Sequence, residues 1–177
     1  AKAKQGKLNM ASAGAGSQSH LAGIMMQIMG NFPSVHVPYK GGGASVVSVM
    51  VGETQWTITP ASSVVGHVRS GKLRAVAHSL PQRSLLLADV PTVGETIRGY
   101  SYSAWNGIVI PKATPAPVME KIRAALLKTL RLAEVKEAVN KQGAEVLINS
   151  AEEFRSLVQT EIENTAKVVR AADLKLE

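Results

Sequence analysis

The chain has 177 residues, no cysteine, 45% hydrophobic and 4% aromatic content, and a net charge of +7. The missing thiols exclude disulfides, thiol catalysis and thiolate metal sites, and the lack of any apolar run of about 18 residues excludes a membrane-spanning helix from this sequence. The basic excess is uneven, with nine Lys/Arg against three acids in residues 1–100 and eleven against ten in 101–177; it forms no basic run and is not interleaved with aromatics, so no nucleic-acid partner is expected.

Residues 1–6 read as the tail of a helix stopped at Gly6, with no apolar region that would make a signal peptide, and a missing N-terminal part is expected. A strand over 7–12 then runs into Ser12-Ala13-Gly14-Ala15-Gly16-Ser17-Gln18-Ser19-His20. Gly14 and Gly16 permit positive φ and close backbone approach, and Ser17 or Ser19 can cap the helix that follows. Such a turn aims unpaired amides, backed by a helix dipole, at a carboxylate or phosphate. It lacks the lysine of a P-loop and is not G-x-G-x-x-G; by itself it reads first as a plain connection.

The helix over 17–30 has Leu21, Ile24, Met25, Ile28 and Met29 at core-facing spacing. Residues 34–39 are a short strand in which His36 faces away from its flanking valines, a structural rather than catalytic histidine since no carboxylate neighbours it in sequence. A second glycine turn, Lys40 to Ala44, leads to a helix over 44–51. Residues 54–59 alternate as a strand, and Thr59-Pro60 opens a helix to about residue 70. A strand over 72–78 completes four strand-helix units, the pattern of a parallel α/β sheet.

Residues 79–99 are irregular, with a short helix over 92–97. A long strand over 100–110 crosses between lobes. Helices follow over 115–130, with Val118, Ile122, Ala125 and Leu126 on one face, and over 133–141. A brief strand over 145–148 precedes the last helix, to about residue 172, which Ser150 and Glu153 open as a capping box and whose Phe154, Leu157, Val158, Ile162 and Val169 point inward. The four histidines have no metal spacing, no nucleophile elbow exists, and the first hundred residues hold almost no acids, so binding without turnover leads over catalysis.

The landmarks have a specific joint order: Lys7 to Gly14, Gly16-Ser17, His20-Leu21-Ala22, His36-Val37-Pro38-Tyr39-Lys40-Gly41, Gly71-Lys72-Leu73-Arg74-Ala75, Asp89-Val90-Pro91-Thr92, Trp105 with Gly107, and Gly143-Ala144-Glu145 before the capped last helix. This series resembles the Bug-type (TctC-like) periplasmic solute-binding proteins of tripartite tricarboxylate transporters. The resemblance implies an α/β, type II periplasmic binding fold, with residues 1–100 a complete second lobe and 101–177 a crossover strand and C-terminal return to an incomplete first lobe. It implies a periplasmic protein, not an enzyme, without cofactor or metal, that captures a small carboxylate for membrane transporter subunits. By position it assigns ligand binding to Ser12, Ala13, Gly14, Ala15, Gly16 and Ser17 through their amides, with His20 behind them, to Tyr39, Gly41 and Gly42 in the second turn, and to Thr59. Ser48, Gln55 and Thr59 stand where an Asp is usual in the family; with no acid to meet an ammonium group at Thr59, the expected ligand is a plain or aromatic acid rather than an amino acid. The alternative is a remnant lobe that acts only in protein association, through apolar surface that the return segment leaves exposed.

Overall fold

The computed structural model describes residues 8–174; the helix tail expected over 1–6 and the first residue of the strand expected over 7–12 lie outside the described residues. Strands β1 (Asn9–Ser12), β2 (Val35–Pro38) and β3 (Trp56–Thr57) form one parallel sheet in the order β2-β1-β3. Asn9 to Ser12 pair with Val35 to Pro38, and Met10 and Ala11 with Trp56 and Thr57. Each strand runs into a helix: α1 (Gln18–Gly30), α2 (Gly42–Met50) and α3 (Ala61–Arg69). Parallel strands with this connectivity bring every strand C-terminus and every helix N-terminus to one edge of the sheet, where α/β folds place ligands.

β1 is the central strand, and Met10, Ala11 and Ser12 are fully buried. Helix α1 lies close on it because residue 23 is glycine: a Cβ there would collide with Met10 Sδ. The buried face of α1 is therefore Ser19, His20, Leu21, Ala22, Gly23 and Gly30. The predicted stripe is rotated from this, with Leu21 buried but Ile28 and Met29 exposed. Backbone proximity selects small residues for the contact, and the large ones are displaced from it. Tyr100 closes the far side of α1, its hydroxyl donating to the Ala22 carbonyl at 3.0 Å.

Three predicted strands do not form among the described residues. Residues 72–78 make one isolated parallel bridge, His78 with Thr92, while 100–110 and 145–148 make no ladder. These stretches have strand composition but no strand beside them, and β-propensity expresses a fit to neighbours rather than a backbone preference of its own. Val76 and Val109 are accordingly 76% and 82% exposed. The helix expected over 92–97 is a 3-10 turn at Val93–Glu95, with Thr92 and Glu95 as a capping box.

Beyond Ser101 come α4 (Ala116–Leu130), α5 (Ala133–Lys141) and α6 (Ala151–Ala171), none with a buried residue. Of the faces expected inward, Val118, Ile122 and Ala125 on α4 and Ile162 on α6 are exposed, while Leu126 on α4 and Phe154, Leu157, Val158 and Val169 on α6 are half-buried. α6 packs on α1, and its Phe154 meets Trp105 edge-on at 5.3 Å. Gly107 leaves the room for that contact, since a Cβ there would stand 2.6 Å from Phe154 Cζ. No helix among the described residues is long and apolar enough to cross a membrane.

Candidate functional site

The turn after β1 is knitted by its own side chains. Gly14 and Gly16 adopt φ of 129° and 72°, open to glycine and strained for other residues. Ser12 Oγ accepts the Gly14 amide at 3.1 Å, and Ser19 Oγ accepts the Ala13 amide at 2.8 Å. The Gly16 amide donates to His20 Nδ1 at 3.0 Å, and the Ser17 amide to the Gly14 carbonyl at 3.2 Å. Ser17 is the N-cap of α1, accepting from the His20 amide. The amides of Ala13, Gly14, Gly16 and Ser17 are thus consumed within the turn. The amides of this turn and helix start without an acceptor among the described residues are those of Ala15, Gln18 and Ser19, of which Gln18 and Ser19 belong to the helix end.

The second turn is docked on the first. The Tyr39 amide donates to the Ser12 carbonyl at 2.9 Å and the Gly41 amide to the Ala13 carbonyl at 3.1 Å. Gly41 is the N-cap of α2, with φ of 99° and no side-chain cap. Helix α3 begins after Pro60, also without a side-chain cap. Three helix N-termini, two of them lacking capping side chains, therefore converge.

They meet at a cavity of about 260 Å³. The first turn contributes Ala13, Ser17, Gln18 and Ser19, the second Gly42, and the third Thr59, Pro60 and Ser63. No charged side chain is among them. A Cβ on Gly42 would lie 3.7 Å from both Thr59 Oγ1 and Ser63 Oγ, so these hydroxyls sit together above the start of α2.

Of the residues assigned from sequence, Ala13, Ser17, Gly42 and Thr59 line this cavity. Gly14, Ala15, Gly16 and Gly41 shape the turns without lining it, and Ser12 and His20 are buried behind them. Tyr39 does not line it either; its hydroxyl is buried with no partner among the described residues. Gln18 and Ser19 lie within the expected binding turn over 12–20 but are not singled out by sequence, and Pro60 and Ser63 lie outside the expected set. The available signal was positional: each lies at or just inside a predicted helix start. Two of the three positions noted for a missing acid are structural. The Ser48 hydroxyl donates to the Ser45 carbonyl or pairs with Thr54 Oγ1, each at 2.8 Å, and Gln55 Oε1 accepts the Asn9 amide at 2.8 Å. Only Thr59 reaches the cavity.

Behind the first turn the His20 and His36 rings stack with centroids 3.8 Å apart and planes 10° from parallel. His36 Nε2 lies 2.6 Å from Ser12 Oγ. Burial pushes the His20 pKa below its ordinary value. Burial, and then the neighbouring His20, take His36 down to about 4.

A more open depression of about 350 Å³ lies elsewhere, bordered by Thr92, Glu95 and Tyr100. Arg83 grips Glu95 there with bonds of 3.0 and 2.7 Å, and that hydrogen bonding, with the Thr92 amide, takes the Glu95 carboxyl down to about 2. No helix of more than one turn starts at it. No group of three potential metal ligands occurs among the described residues.

Residues 1–174 match the family described as tripartite tricarboxylate transporter family receptor. Among relatives, protein BugT of Bordetella pertussis is 32% identical over 179 residues, covering 99% of this chain and 54% of BugT. A protein of Pseudomonas sp. strain P51, from the tcbD-tcbE intergenic region, is 29% identical over 96% of this chain and 51% of its own length. The periplasmic binding protein BugD superposes with a TM-score of 0.87 at 28% identity, covering 99% of this chain and 60% of BugD. MatC of Rhodopseudomonas palustris, solved with bound malate, superposes at 0.82 and 28% identity, covering 93% of this chain and 57% of MatC. The chain spans about half the length of the curated relatives it matches. With its parallel α/β sheet and the helix-end cavity, this chain belongs to the tripartite tricarboxylate transporter receptor family, TctC, whose members are solute-binding receptors rather than enzymes.

Proposed function

We propose that this chain carries the anion-gripping face of a periplasmic receptor that captures a small carboxylate and delivers it to the membrane subunits of a tripartite tricarboxylate-type transporter. The observation that supports this reading is the meeting of α1, α2 and α3 by their N-termini at one cavity with no charged side chain in its wall. A helix end contributes about 0.3–1 kcal/mol to a carboxylate, up to ~2 kcal/mol where sheltered. Each hydrogen bond to the charged oxygens adds about 1.5–3 kcal/mol. The donors are the Gln18 and Ser19 amides and the Thr59 and Ser63 hydroxyls. MatC's malate supports a dicarboxylate. Thr59 supports a plain acid over an amino acid, because a hydroxyl offers no charge to an ammonium group. The opposing wall of the whole receptor's site belongs, on this reading, to the part of its relatives that this chain does not match.

Calorimetric titration with L-malate, its diamide and L-aspartate tests the proposal. Malate should bind, the diamide should not, and aspartate should bind more weakly than malate. Thr59→Asp should weaken malate by about tenfold or more, a loss of about 1.4 kcal/mol, by setting a like charge where the helix ends converge. Equal binding of malate and its diamide would overturn carboxylate capture. Aspartate equal to malate would overturn the preference for plain acids. A second reading, association through apolar surface, has its own support in exposed Ile108, Val109, Leu147 and Ile148; a mass in light scattering that rises with concentration, with no response to malate, would favour it.

A further inference from the structure

The stacked histidines take no part in lining the cavity, yet each is tied to one end of the turn that forms it. His36, on β2, meets Ser12 Oγ where the turn leaves the sheet. His20, on α1, accepts the Gly16 amide where the turn enters the helix. Ser12 Oγ in turn accepts the Gly14 amide. The two rings, face to face, therefore hold the turn at Ser12 Oγ and the Gly16 amide, and Ser19, next in sequence to His20, holds the Ala13 amide and is itself part of the cavity wall.

A backbone amide can only donate, so His20 Nδ1 must present its lone pair to Gly16, and the His20 proton resides on Nε2. Protonation at Nδ1 turns this acceptor into a donor facing a donor. His20 is 4% exposed, so water cannot take over the lost bond without the turn moving. Among the described residues no charged group acts on His20, whose shift comes from burial. β1, β2, β3 and α2 carry no other ionisable side chain, and α1 has none besides His20. Tyr39 and Lys40 follow β2. On α6, which packs against α1, Glu161 bears on Tyr102 rather than on either imidazole.

We propose that the His20–His36 stack is the positioning device of the anion-binding turn, holding residues 12–17 in the binding shape only while His20 is unprotonated, so that carboxylate capture weakens in acid. The gating of capture rests on the carboxylate reading above; the clamp itself does not. The depression of His36 to about 4, and of His20 below its ordinary value, agrees with rings kept neutral at neutral pH.

The test pairs nuclear magnetic resonance of the chain without ligand with calorimetric titration of L-malate, both from pH 7.5 to 4.5. The Gly16 amide should be protected from exchange at pH 7.5, and its shift should follow the protonation of His20, read from the ring nitrogens. Malate affinity should fall by about tenfold for each pH unit below the His20 midpoint. His20→Asn keeps an acceptor near the Nδ1 position without a titrating group; it should retain malate binding at pH 7.5 and remove most of the acid loss. The variant also controls for malate's own titration. A Gly16 amide that ignores His20 protonation would overturn the clamp. Parallel pH profiles in the chain and in His20→Asn would overturn the gating. If Gly16 follows His20 but malate binds at no pH, the clamp stands and the carboxylate reading falls. A His20→Asn chain that does not fold leaves the decision to the Gly16 and ring-nitrogen titration of the unaltered chain.

Discussion

Every buried residue in the described structure lies between Met10 and Tyr100; from Ser101 to Leu174 none is buried. The difference is not one of composition. Helices α4 and α6 carry apolar residues at the same helical spacing as α1, and α6 is the longest helix, at 21 residues. What α1 has and they lack is a sheet to lie on. β1 offers it a strand buried on both faces, and Gly23 admits the approach. An amphipathic pattern specifies which face is to be covered; it does not supply the cover. Stability should therefore be concentrated before residue 100, and truncations of similar kind in the two regions measure how far.

The largest effect is expected at Tyr100, 2% exposed and bonded to the Ala22 carbonyl. Tyr100→Ala opens a cavity beside α1 and should cost about 3–5 kcal/mol in urea unfolding. Ile122→Ala on α4 and Ile162→Ala on α6, at 41% and 59% exposure, should stay within about 0.5 kcal/mol. Comparable losses at all three positions would mean that α4 and α6 are covered in solution by something that buries them as well as the sheet buries Tyr100.

Acid should separate the regions next. His20 and His36 are held below their ordinary pKa, His36 at about 4, so the folded state favours their neutral forms. Their contribution is complete above the unfolded value of about 6.5 and is lost as pH falls through the folded one. In α6 the resolved shift is that of Glu153, held down by the Ser150 amide; its contribution is complete above 4.5 and is lost below that. The sheet region should therefore begin to loosen at a higher pH than α6. The two tryptophans fall one in each region, Trp56 on β3 and Trp105 against α6. In Trp105→Phe the fluorescence reports the first region, and in Trp56→Phe the second. Coincident acid transitions would contradict the separation.

The features legible in the sequence are those decided by neighbours along the chain. Ser17 as a cap and Ser150 with Glu153 as a capping box follow from bonds spanning three residues. The glycine turns and the alternation of strand and helix up to residue 70 are similarly local. The strands expected over 72–78, 100–110 and 145–148 failed because a ladder needs a partner that local pattern cannot promise. The buried stripe of α1 is rotated from the one helical spacing predicts because Met10 demands a glycine opposite it, which helical spacing of large apolar residues does not reveal. At the cavity, the first two turns were readable from their glycines. Ser63 is not, since it joins them only when parallel pairing gathers three helix starts at one sheet edge. The His20–His36 stack arises the same way: the β1–β2 register sets Met10 beside His36, and the turn brings His20 back over it.

The smallest effect comes from making one substitution at two caps. Ser17 Oγ accepts the His20 amide and donates to the Gly14 carbonyl at 2.6 Å, so it ties helix, turn and cavity wall together. Ser17→Ala should cost about 1–2 kcal/mol of global stability and weaken malate, because the turn and the Ser19 hydroxyl, 3.0 Å from Ser17 Oγ, lose an anchor together. Ser150 Oγ accepts the Glu153 amide at 3.1 Å and the Ser150 amide bonds Glu153 Oε2 at 2.6 Å, all at the exposed start of α6. Ser150→Ala removes the same kind of bond at an end that nothing buried depends on. It should cost about 0.5–1 kcal/mol, felt as faster hydrogen exchange in the first turns of α6 rather than as a shift of the main urea transition. If Ser150→Ala instead moves that transition as far as Ser17→Ala does, α6 belongs to the same cooperative unit as the sheet, and its contact with α1 carries more stability than its exposure implies.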